Sequence, residues 1–295
     1  MKTFLDRIAE PELIIIDGGT GTEMEKRGAK MESRGWSASS SITQPDLLRQ
    51  IHKDYIDVGA EVIITNTYAC SKQVMEECGI GEQFEEANRL SAKIACEVRD
   101  THEAAHQVWV AGSMSPDTFG ADRLSEKVLQ DNFDQQAAIL AKNGVDFFML
   151  EMLWDVEITS IMIEAVKKTG LPVILGFTYR LEKEHKRSTL AKGGGFGALL
   201  PHLDLSQVPM ITIMHSLIDA IPVGLSDLKA NWSGPTGVYA HYGVFQMPNW
   251  VFNDMITPEA YADEADNWIK AGASLIGGCC GIGPAHIEEI SRRFR

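Results

Sequence analysis

The feature that most constrains the fold of this chain is a repeated alternation of short aliphatic runs and longer amphipathic stretches. Each aliphatic run has the length of a buried strand, and each amphipathic stretch has the apolar spacing of a helix. This alternation implies parallel strands joined by right-handed helical crossovers. About eight such units along the chain predict an α/β fold of the closed (β/α)8 TIM barrel type rather than an open sheet.

The aliphatic runs that we interpret as strands are residues 13–16, 62–65, 108–111, 147–150, 173–177, 210–214, 237–239 and 274–276. Helices are predicted at 45–58, 83–99, 133–143, 157–168 and 258–271. No linker or change of composition divides the chain, so residues 1–295 are predicted to form one barrel domain. The glycine-rich segment 180–201 is predicted to be a long loop, with a lid over a site as the alternative.

The composition excludes two classes of partner. Lys and Arg number 27 against 41 Asp and Glu, a formal net charge of −14, and a strongly acidic surface repels nucleic-acid phosphates. No apolar run approaches the ~18 residues that a membrane span needs. Residues 1–12 lack the apolar core of a signal peptide, and five cysteines without disulfide-type spacing favour a reduced compartment. We expect a cytoplasmic protein that acts on small molecules; a homo-oligomer is compatible with the sequence.

Polar and thiol side chains follow the predicted strands at their carboxyl ends, where TIM barrels carry their active sites. These residues are Asp17, Asn66, Tyr68, Glu151, His215, His241, Cys279 and Cys280. Any one of them alone would be uninformative. Their shared position in the pattern predicts a site at this end of the barrel.

The most specific local pattern is the run Gly-Gly-Cys-Cys-Gly at 277–281. Adjacent cysteines on a regular strand point to opposite faces, but flanking glycines allow a turn in which both thiolates face one ion. Zinc is the ion expected for paired thiolates in a reduced compartment; two small core residues or a vicinal disulfide are the alternatives. A catalytic zinc needs a third protein ligand. The candidates are His215, His241 and His286.

Taken together, these segments resemble the homocysteine S-methyltransferase family, which includes betaine-dependent and S-methylmethionine-dependent enzymes. The similarity runs from end to end of the chain. It is carried by Ile-Asp-Gly-Gly-Thr-Gly-Thr-Glu at 16–23, Trp-Ser-Ala at 36–38, Thr-Asn-Thr-Tyr at 65–68, Ala-Gly-Ser at 111–113, Leu-Glu at 150–151, and the double-cysteine turn with Pro284 and His286.

The resemblance implies a zinc-dependent enzyme that transfers a methyl group from a sulfonium or quaternary ammonium donor to the thiol of homocysteine, giving methionine. It implies Cys279 and Cys280 as zinc ligands, and Asp17 and Glu151 as the residues with a catalytic role. A carboxylate such as Glu151 suits the amino group of the substrate, because it accepts charge-assisted hydrogen bonds. The substrate-binding residues that we expect are Asp17, Gly18, Trp36, Asn66, Tyr68 and Glu151.

The sequence departs from the family at the end of the sixth strand, where a third zinc cysteine is usual. His215 occupies that position in the register that we prefer, whereas a one-residue slip would place Met214 there. His241, after the seventh strand, is the next alternative. We therefore predict Zn²⁺ held by His215, Cys279 and Cys280.

A neutral histidine in place of a cysteinate makes the zinc centre less negative by one charge. The substrate thiol should then have a lower pKa and also a lower nucleophilicity. We expect either a more reactive methyl donor, such as a sulfonium, or an acceptor thiol other than homocysteine. Aromatic faces bind such cations. The candidates are Trp36, Trp154, Tyr242 and Trp250.

Two other interpretations remain open at this point. In the first, the chain is a metal-free relative that binds an amino-acid-like thiol or an onium compound without methyl transfer. In the second, it is an unrelated barrel enzyme such as a metal hydrolase. The second is disfavoured because two-metal hydrolases use several carboxylate or histidine ligands, whereas the cluster predicted here is rich in thiols.

Overall fold

Ten strands are seen in the computed structural model, which describes residues 2–31, 35–104, 106–116, 124–180, 195–246, 249–252 and 255–295. The strands are β1 (Ile14–Ile15), β2 (Val62–Ile64), β3 (Trp109–Met114), β4 (Phe147–Leu153), β5 (Val173–Phe177), β6 (Ile211–Leu217), β7 (Thr236–His241), β8 (Val244–Gln246), β9 (Asn249–Val251) and β10 (Leu275–Gly278).

Eight of these strands form one parallel sheet in the order β1-β10-β7-β6-β5-β4-β3-β2. The two outer strands meet at a bridge between Ile16 and Val62. The amide of Glu61 donates to the carbonyl of Ile15 at 2.8 Å, and the amide of Asp17 donates to the carbonyl of Val62 at 2.9 Å. These bonds close the sheet into the predicted (β/α)8 barrel, and each predicted strand is confirmed to within a few residues.

The helices are α1 (Phe4–Ile8), α2 (Thr20–Lys26), α3 (Ser40–Thr43), α4 (Pro45–Asp57), α5 (Lys72–Glu77), α6 (Phe84–Thr101), α7 (Glu126–Lys142), α8 (Val156–Lys167), α9 (Gly195–Leu199), α10 (Ile221–Asn231), α11 (Pro258–Lys270) and α12 (Pro284–Phe294). The helix predicted at 133–143 begins earlier, at Glu126, because the side chain of Ser125 accepts a hydrogen bond from the amide of Val128 and caps it. None of the helices in the described ranges is long and apolar enough to cross a membrane.

The predicted loop at 180–201 falls mainly on residues 181–194, which lie outside the described residues. Its last part is not a loop, and that part of the prediction is wrong. Residues 195–199 form α9, which continues into a 3₁₀ turn at Leu200–His202. The amide of Phe196 donates to Asp227 at 2.8 Å, and its ring packs against Phe177. Tertiary contacts therefore override the local preference of the glycines for a loop.

The side chains of the barrel strands divide between two apolar layers. The interior layer includes Ile14, Val62 and Met149, whereas Ile15 and Ile63, their chain neighbours, belong to the layer between strands and helices. Consecutive strand residues thus point to opposite faces, as expected for a filled barrel.

Helix α1 closes the amino-terminal end of the barrel. The ring of Phe4 stacks on Phe147 with the centroids 3.9 Å apart, and it also contacts Trp109. Arg7 donates from its guanidinium to the buried carboxylate of Glu61 at 2.7 and 3.0 Å, and Arg295 pairs with the same carboxylate. In the part of the chain that the structure describes, side chains fill this end of the barrel.

Candidate active site

A cavity of about 240 Å³ opens at the carboxyl ends of the barrel strands. It brings together most of the residues that the sequence singled out. The predicted residues that line it are Gly18, Trp36, Asn66, Tyr68, Glu151, His215, Cys279 and Cys280. Asp17 and His241 are not lining residues. Asp17 directly precedes the lining residue Gly18 in the sequence, and the ring of His241 stacks on that of the lining residue His215.

The thiol–imidazole cluster, which we define as His215, Cys279 and Cys280, occupies one side of this cavity. The Nδ1 atom of His215 lies 3.3 Å from the Sγ atom of Cys279, and the two Sγ atoms are 3.9 Å apart. The three ligand atoms all lie within 4.8 Å of one another. In a tetrahedral zinc site the separations would be ~3.6 Å for N to S and ~3.8 Å for S to S. The donor set and its spacing therefore fit zinc.

The backbone of the cluster is shaped for this convergence. His215 has a φ of +44°, a left-handed conformation that is uncommon for a residue with a side chain. Gly281, after the two cysteines, has a φ of +82°, and a Cβ atom there would lie 2.1 Å from the carbonyl oxygen of Tyr242. Burial lowers the pKa of His215 well below its usual range, so its ring is neutral, the form that binds a metal.

The other candidates for the third ligand do not join the cluster. His241 stacks on His215 with the ring centroids 4.4 Å apart, but it does not belong to the group whose ligand atoms converge. The Sδ atom of Met214 accepts the amide of Met152 at 3.1 Å. His286 accepts the amide of Gly283 at its Nδ1 atom and contacts the carbonyl of Ile256 through Nε2. Of the four residues considered, the structure brings only His215 to the thiols.

Glu151 lies in the same cavity and is only 6% exposed. The hydroxyl of Ser113 donates to its Oε2 atom. Burial raises the pKa of Glu151 to about 7, against the opposing effect of the hydroxyls of Ser113 and Tyr239. A carboxyl group with this pKa is partly protonated near neutral pH. A cation bound beside it would lower its pKa and favour the ionised form.

Asp17 is fully buried next to the cavity. Its Oδ2 atom accepts the amide of Ile64 at 2.8 Å, whereas its Oδ1 atom has no hydrogen-bond partner in the described residues. Burial raises the pKa of Asp17 well above its usual range, and the neighbouring Glu151 raises it further. Because Oδ2 holds the end of β2, Asp17 positions the segment that carries Asn66 and Tyr68.

Asn66 and Tyr68 both reach the cavity after β2, but their side chains already have partners. The amide of Asn66 donates to the carbonyl of Ser37 at 3.0 Å, and its oxygen accepts the Ser37 hydroxyl at 3.1 Å. The hydroxyl of Tyr68 donates to the sulfur of Met152 at 2.7 Å. Asn66 thereby fixes the segment in which Trp36 lies.

An aromatic surface that we call the donor wall, formed by Trp36, Phe245 and Trp250, also lines the cavity, and Trp250 lies edge-on to His215 of the cluster. Phe245 and Trp250 face each other across an antiparallel hairpin made by β8 and β9, with their ring centroids 5.8 Å apart. Trp154 and Tyr242, the other aromatic candidates, are not lining residues. The sequence analysis did not predict the hairpin, although apolar residues at 244–246 and 249–251 are a weak strand signal.

Comparison with known proteins identifies the family of this chain. The family described as "Homocysteine S-methyltransferase" matches residues 14–294. Homocysteine S-methyltransferase 4 of Zea mays is 26% identical over 95% of this chain and 89% of its own length. Betaine–homocysteine S-methyltransferase 1 of Bos taurus is 27% identical over 99% of this chain and 75% of its own length. Selenocysteine Se-methyltransferase of Brassica oleracea is 26% identical over 95% of this chain and 88% of its own length.

A solved structure shares the fold. The metallated form of the homocysteine methyltransferase MmuM from Escherichia coli superimposes with a TM-score of 0.81, covering 98% of each chain at 23% identity. That likeness concerns the barrel, whereas the family match spans nearly the whole sequence. The chain therefore belongs to the homocysteine S-methyltransferase family and is a methyltransferase.

Proposed function

We propose that residues 1–295 act as one barrel domain that transfers a methyl group from a sulfonium or quaternary ammonium donor to the thiol of homocysteine. The observation that carries this proposal is the convergence, in one cavity, of the thiol–imidazole cluster, the carboxyl group of Glu151 and the donor wall. The relatives that match most of the chain are named for methyl transfer to homocysteine or to selenocysteine.

His215, Cys279 and Cys280 are the residues that would hold zinc. Zinc bound there would act as a Lewis acid that lowers the pKa of the acceptor thiol, so that the acceptor reacts as a thiolate. His215 contributes no charge to this site, because its ring is neutral. The ring of His241 stacks on it, and Trp250 lies edge-on to it with the ring centroids 6.0 Å apart.

Glu151 and Asp17 form the part of the site that would take the amino group of the acceptor. Ionised Glu151 can accept a charge-assisted hydrogen bond from an ammonium group. We assign Asp17 as the second carboxyl group of this subsite, because its Oδ1 atom has no partner among the described residues. Gly18 follows Asp17 and lines the cavity; a Cβ atom there would lie 2.1 Å from the carbonyl oxygen of Ile282, so no larger residue fits.

The donor wall would receive the cationic methyl donor. The faces of Trp36 and Trp250 attract a cation through their quadrupoles, and Glu151 is the only carboxyl group among the described residues that line the cavity. During transfer, the acceptor sulfur forms a bond to the methyl carbon while the bond from that carbon to the donor atom breaks. The donor leaves as a neutral sulfide or tertiary amine, and the thiol proton passes to solvent.

The choice of acceptor has a second candidate. Because the cluster carries a histidine in place of a third cysteine, a thiol other than homocysteine stays an alternative acceptor. A metal-free relative that only binds such compounds is less well supported, since the three ligand atoms lie at zinc-like separations.

The test is metal analysis by mass spectrometry together with an assay for methionine. Protein purified under reducing conditions would be compared with Cys280→Ala, His215→Ala and, as the control, His241→Ala. We expect about one zinc per chain in the parent protein and in His241→Ala, and none in the other two. S-methylmethionine and betaine would be tried as donors with homocysteine. A parent protein that takes up no zinc after reconstitution and forms no methionine would contradict the proposal.

A further inference from the structure

We propose that Glu25 is a positioning residue for the methyl donor. Its two carboxylate oxygens join Trp36 to the hairpin that carries Phe245 and Trp250, and this link sets the shape of the donor wall. The inference rests on the proposed function, because it assigns Glu25 to the donor side of that site.

Two distant segments of the chain converge on Glu25, in the last turn of α2. The indole Nε1 of Trp36 donates to Oε2 of Glu25 at 3.2 Å. The backbone amide of Trp250 donates to Oε1 at 2.9 Å. Each oxygen therefore accepts one bond, and each bond comes from a tryptophan of the donor wall.

Trp36 needs such a constraint because its local geometry is unfavourable. It has a φ of +46°, in the left-handed region that large residues rarely adopt. Its indole lies against Gly21, which is on α2 together with Glu25. A Cβ atom at Gly21 would come within 2.4 Å of the indole ring. The absence of a side chain at Gly21 makes room for the ring, and the bond to Glu25 fixes its orientation.

The hairpin needs an anchor for a different reason. A two-stranded ribbon is at best marginally stable by itself, and all three residues of β8 are exposed. Strand β9 packs against α2, and the amide of Trp250 is bonded to Glu25. A loss of this bond should therefore loosen the hairpin while the barrel stays intact.

The chemistry favours a carboxylate at this position. Two N–H groups require two acceptors, and both oxygens of a carboxylate accept. Glutamine would present one oxygen and one NH₂ group, so one of the two tryptophans would lose its acceptor. Glutamine would also remove a negative charge from the neighbourhood of a surface that is proposed to bind a cation.

The experiment compares Glu25→Gln with the parent protein and with Glu85→Gln, an exposed glutamate on α6 that serves as the control. Initial rates would be measured with the donor and homocysteine varied in turn. We expect the donor KM of Glu25→Gln to rise about tenfold, because roughly one hydrogen bond to a charged group is lost. The KM for homocysteine and the zinc content should stay close to the parent values, and Glu85→Gln should match the parent.

A second variant keeps the inference testable if Glu25→Gln folds poorly. Trp36→Phe retains an aromatic face but has no N–H group, so it should raise the donor KM by a smaller factor. Adding Glu25→Gln to Trp36→Phe should then cost less than Glu25→Gln costs alone, because only the bond to Trp250 remains to be lost. Additive effects, or equal increases in the KM values of donor and acceptor, would overturn the inference.

Two measurements separate this inference from the proposed function. Tetramethylammonium binding followed by tryptophan fluorescence, and hydrogen exchange at the amide of Trp250, do not need methyl transfer. We expect Glu25→Gln to weaken the binding and to accelerate the exchange. If the parent protein transfers no methyl group, the proposed function fails, and these two readouts still decide the role of Glu25. If neither readout changes in Glu25→Gln, the inference fails while any methyl transfer by the parent protein stands.

Discussion

The two ends of the barrel use charged and strained groups in opposite ways. At the amino end, Arg7 and Glu61 are buried and bonded to each other, and the remaining guanidinium donors of Arg7 reach the carbonyls of Glu12 and Leu13 at 3.0 and 2.8 Å. Burial of charge is tolerable there because every partner is supplied within the protein.

At the carboxyl end, buried polar groups lack partners and the backbone is strained. In the described ranges, all three non-glycine residues with positive φ, Trp36, Met152 and His215, line the cavity. Among the described residues, Oδ1 of Asp17 and Nδ1 of His241 are buried without a hydrogen-bond partner at this end of the barrel. Nε1 of Trp109 near the amino end is also buried without such a partner, so the strained backbone is what distinguishes the carboxyl end, and such strain persists where a ligand is to be bound. The comparison thus separates an end that stabilises the barrel from an end that would act on substrates.

The largest effect that this comparison predicts follows from a substitution in the thiol–imidazole cluster, at the carboxyl end. Such a substitution should abolish most of the activity and leave the stability of the protein almost unchanged. Cys280→Ser should reduce methyl transfer by more than roughly a hundredfold, since even the outer partners of metal ligands are worth about 10–100-fold. The melting temperature of the metal-free protein should change little, because no core contact is removed. Methionine formation and calorimetry check both statements, and a large fall in the melting temperature of the metal-free protein would break the comparison.

The converse is expected at the amino end. Arg7→Ala should lower the free energy of unfolding by about 3 kcal/mol, because it removes a buried partner of Glu61, while kcat stays unchanged. Urea denaturation measures the stability. The matched control is Arg89→Ala, which breaks an exposed pair with Glu86 and should cost less than about 1 kcal/mol. A comparable loss of activity in Arg7→Ala would contradict the division between the two ends.

The carboxyl end should also show a pH dependence that comes from Glu151. Its pKa in the folded protein is about 7, against 4.5 for the unperturbed group, so the folded state binds the extra proton between these values. Stability should therefore fall as the pH rises from 4.5 to 7, by up to about 3 kcal/mol. The pKa of the neighbouring Asp17 is also raised. The hydroxyls of Ser113 and Tyr239 carry no charge between pH 4.5 and 7.

Glu151→Gln isolates this contribution. Denaturation of the parent and the variant at pH 5 and pH 8 should show that the variant gains stability relative to the parent at the higher pH. The homocysteine KM of the parent should rise as the pH falls below 7, when Glu151 becomes protonated, and the KM of the variant should not follow this trend. Parallel stability curves for the two proteins would show that Glu151 does not titrate in this range.

The smallest effect concerns the histidine in the thiol–imidazole cluster. His215→Cys should retain zinc and increase the nucleophilicity of the acceptor thiolate, because the centre becomes more electron-rich. We expect the rate with a quaternary ammonium donor to rise a few-fold relative to the rate with a sulfonium donor. Unchanged rate, zinc content and donor range would show that the histidine does not tune the donor.

The barrel and the position of the site were predictable because both depend on regular features of the sequence. Parallel strands place their carboxyl ends together, so Glu151, His215 and Cys279 could be assigned to one site from the strand pattern alone. The choice of His215 over His241 could not be derived in this way, because both follow a strand. It depends on the left-handed backbone at His215, for which the sequence carries no signal.

Glu25 and the hairpin were missed for a related reason. Glu25 lies in a helix with Glu23 and Lys26, where charged residues are ordinarily solvated. Its two hydrogen bonds come from residues that are distant in sequence, and local patterns do not report such pairs. The hairpin lacks an Asn-Gly or Asp-Gly turn between its strands, so its apolar residues were not interpreted as paired strands.

The place where the sheet closes has a consequence for how the chain is made. Strand β1 has its lateral neighbour β10 near the other end of the sequence, and it reaches β2 only through the bridge at Ile16 and a few backbone bonds. On a ribosome, β1 would leave the exit tunnel before β10 and would stay without its main neighbour until residues 275–278 followed. The apolar residues of β1 would be exposed during that interval, which makes this segment a natural target for chaperones and a starting point for aggregation.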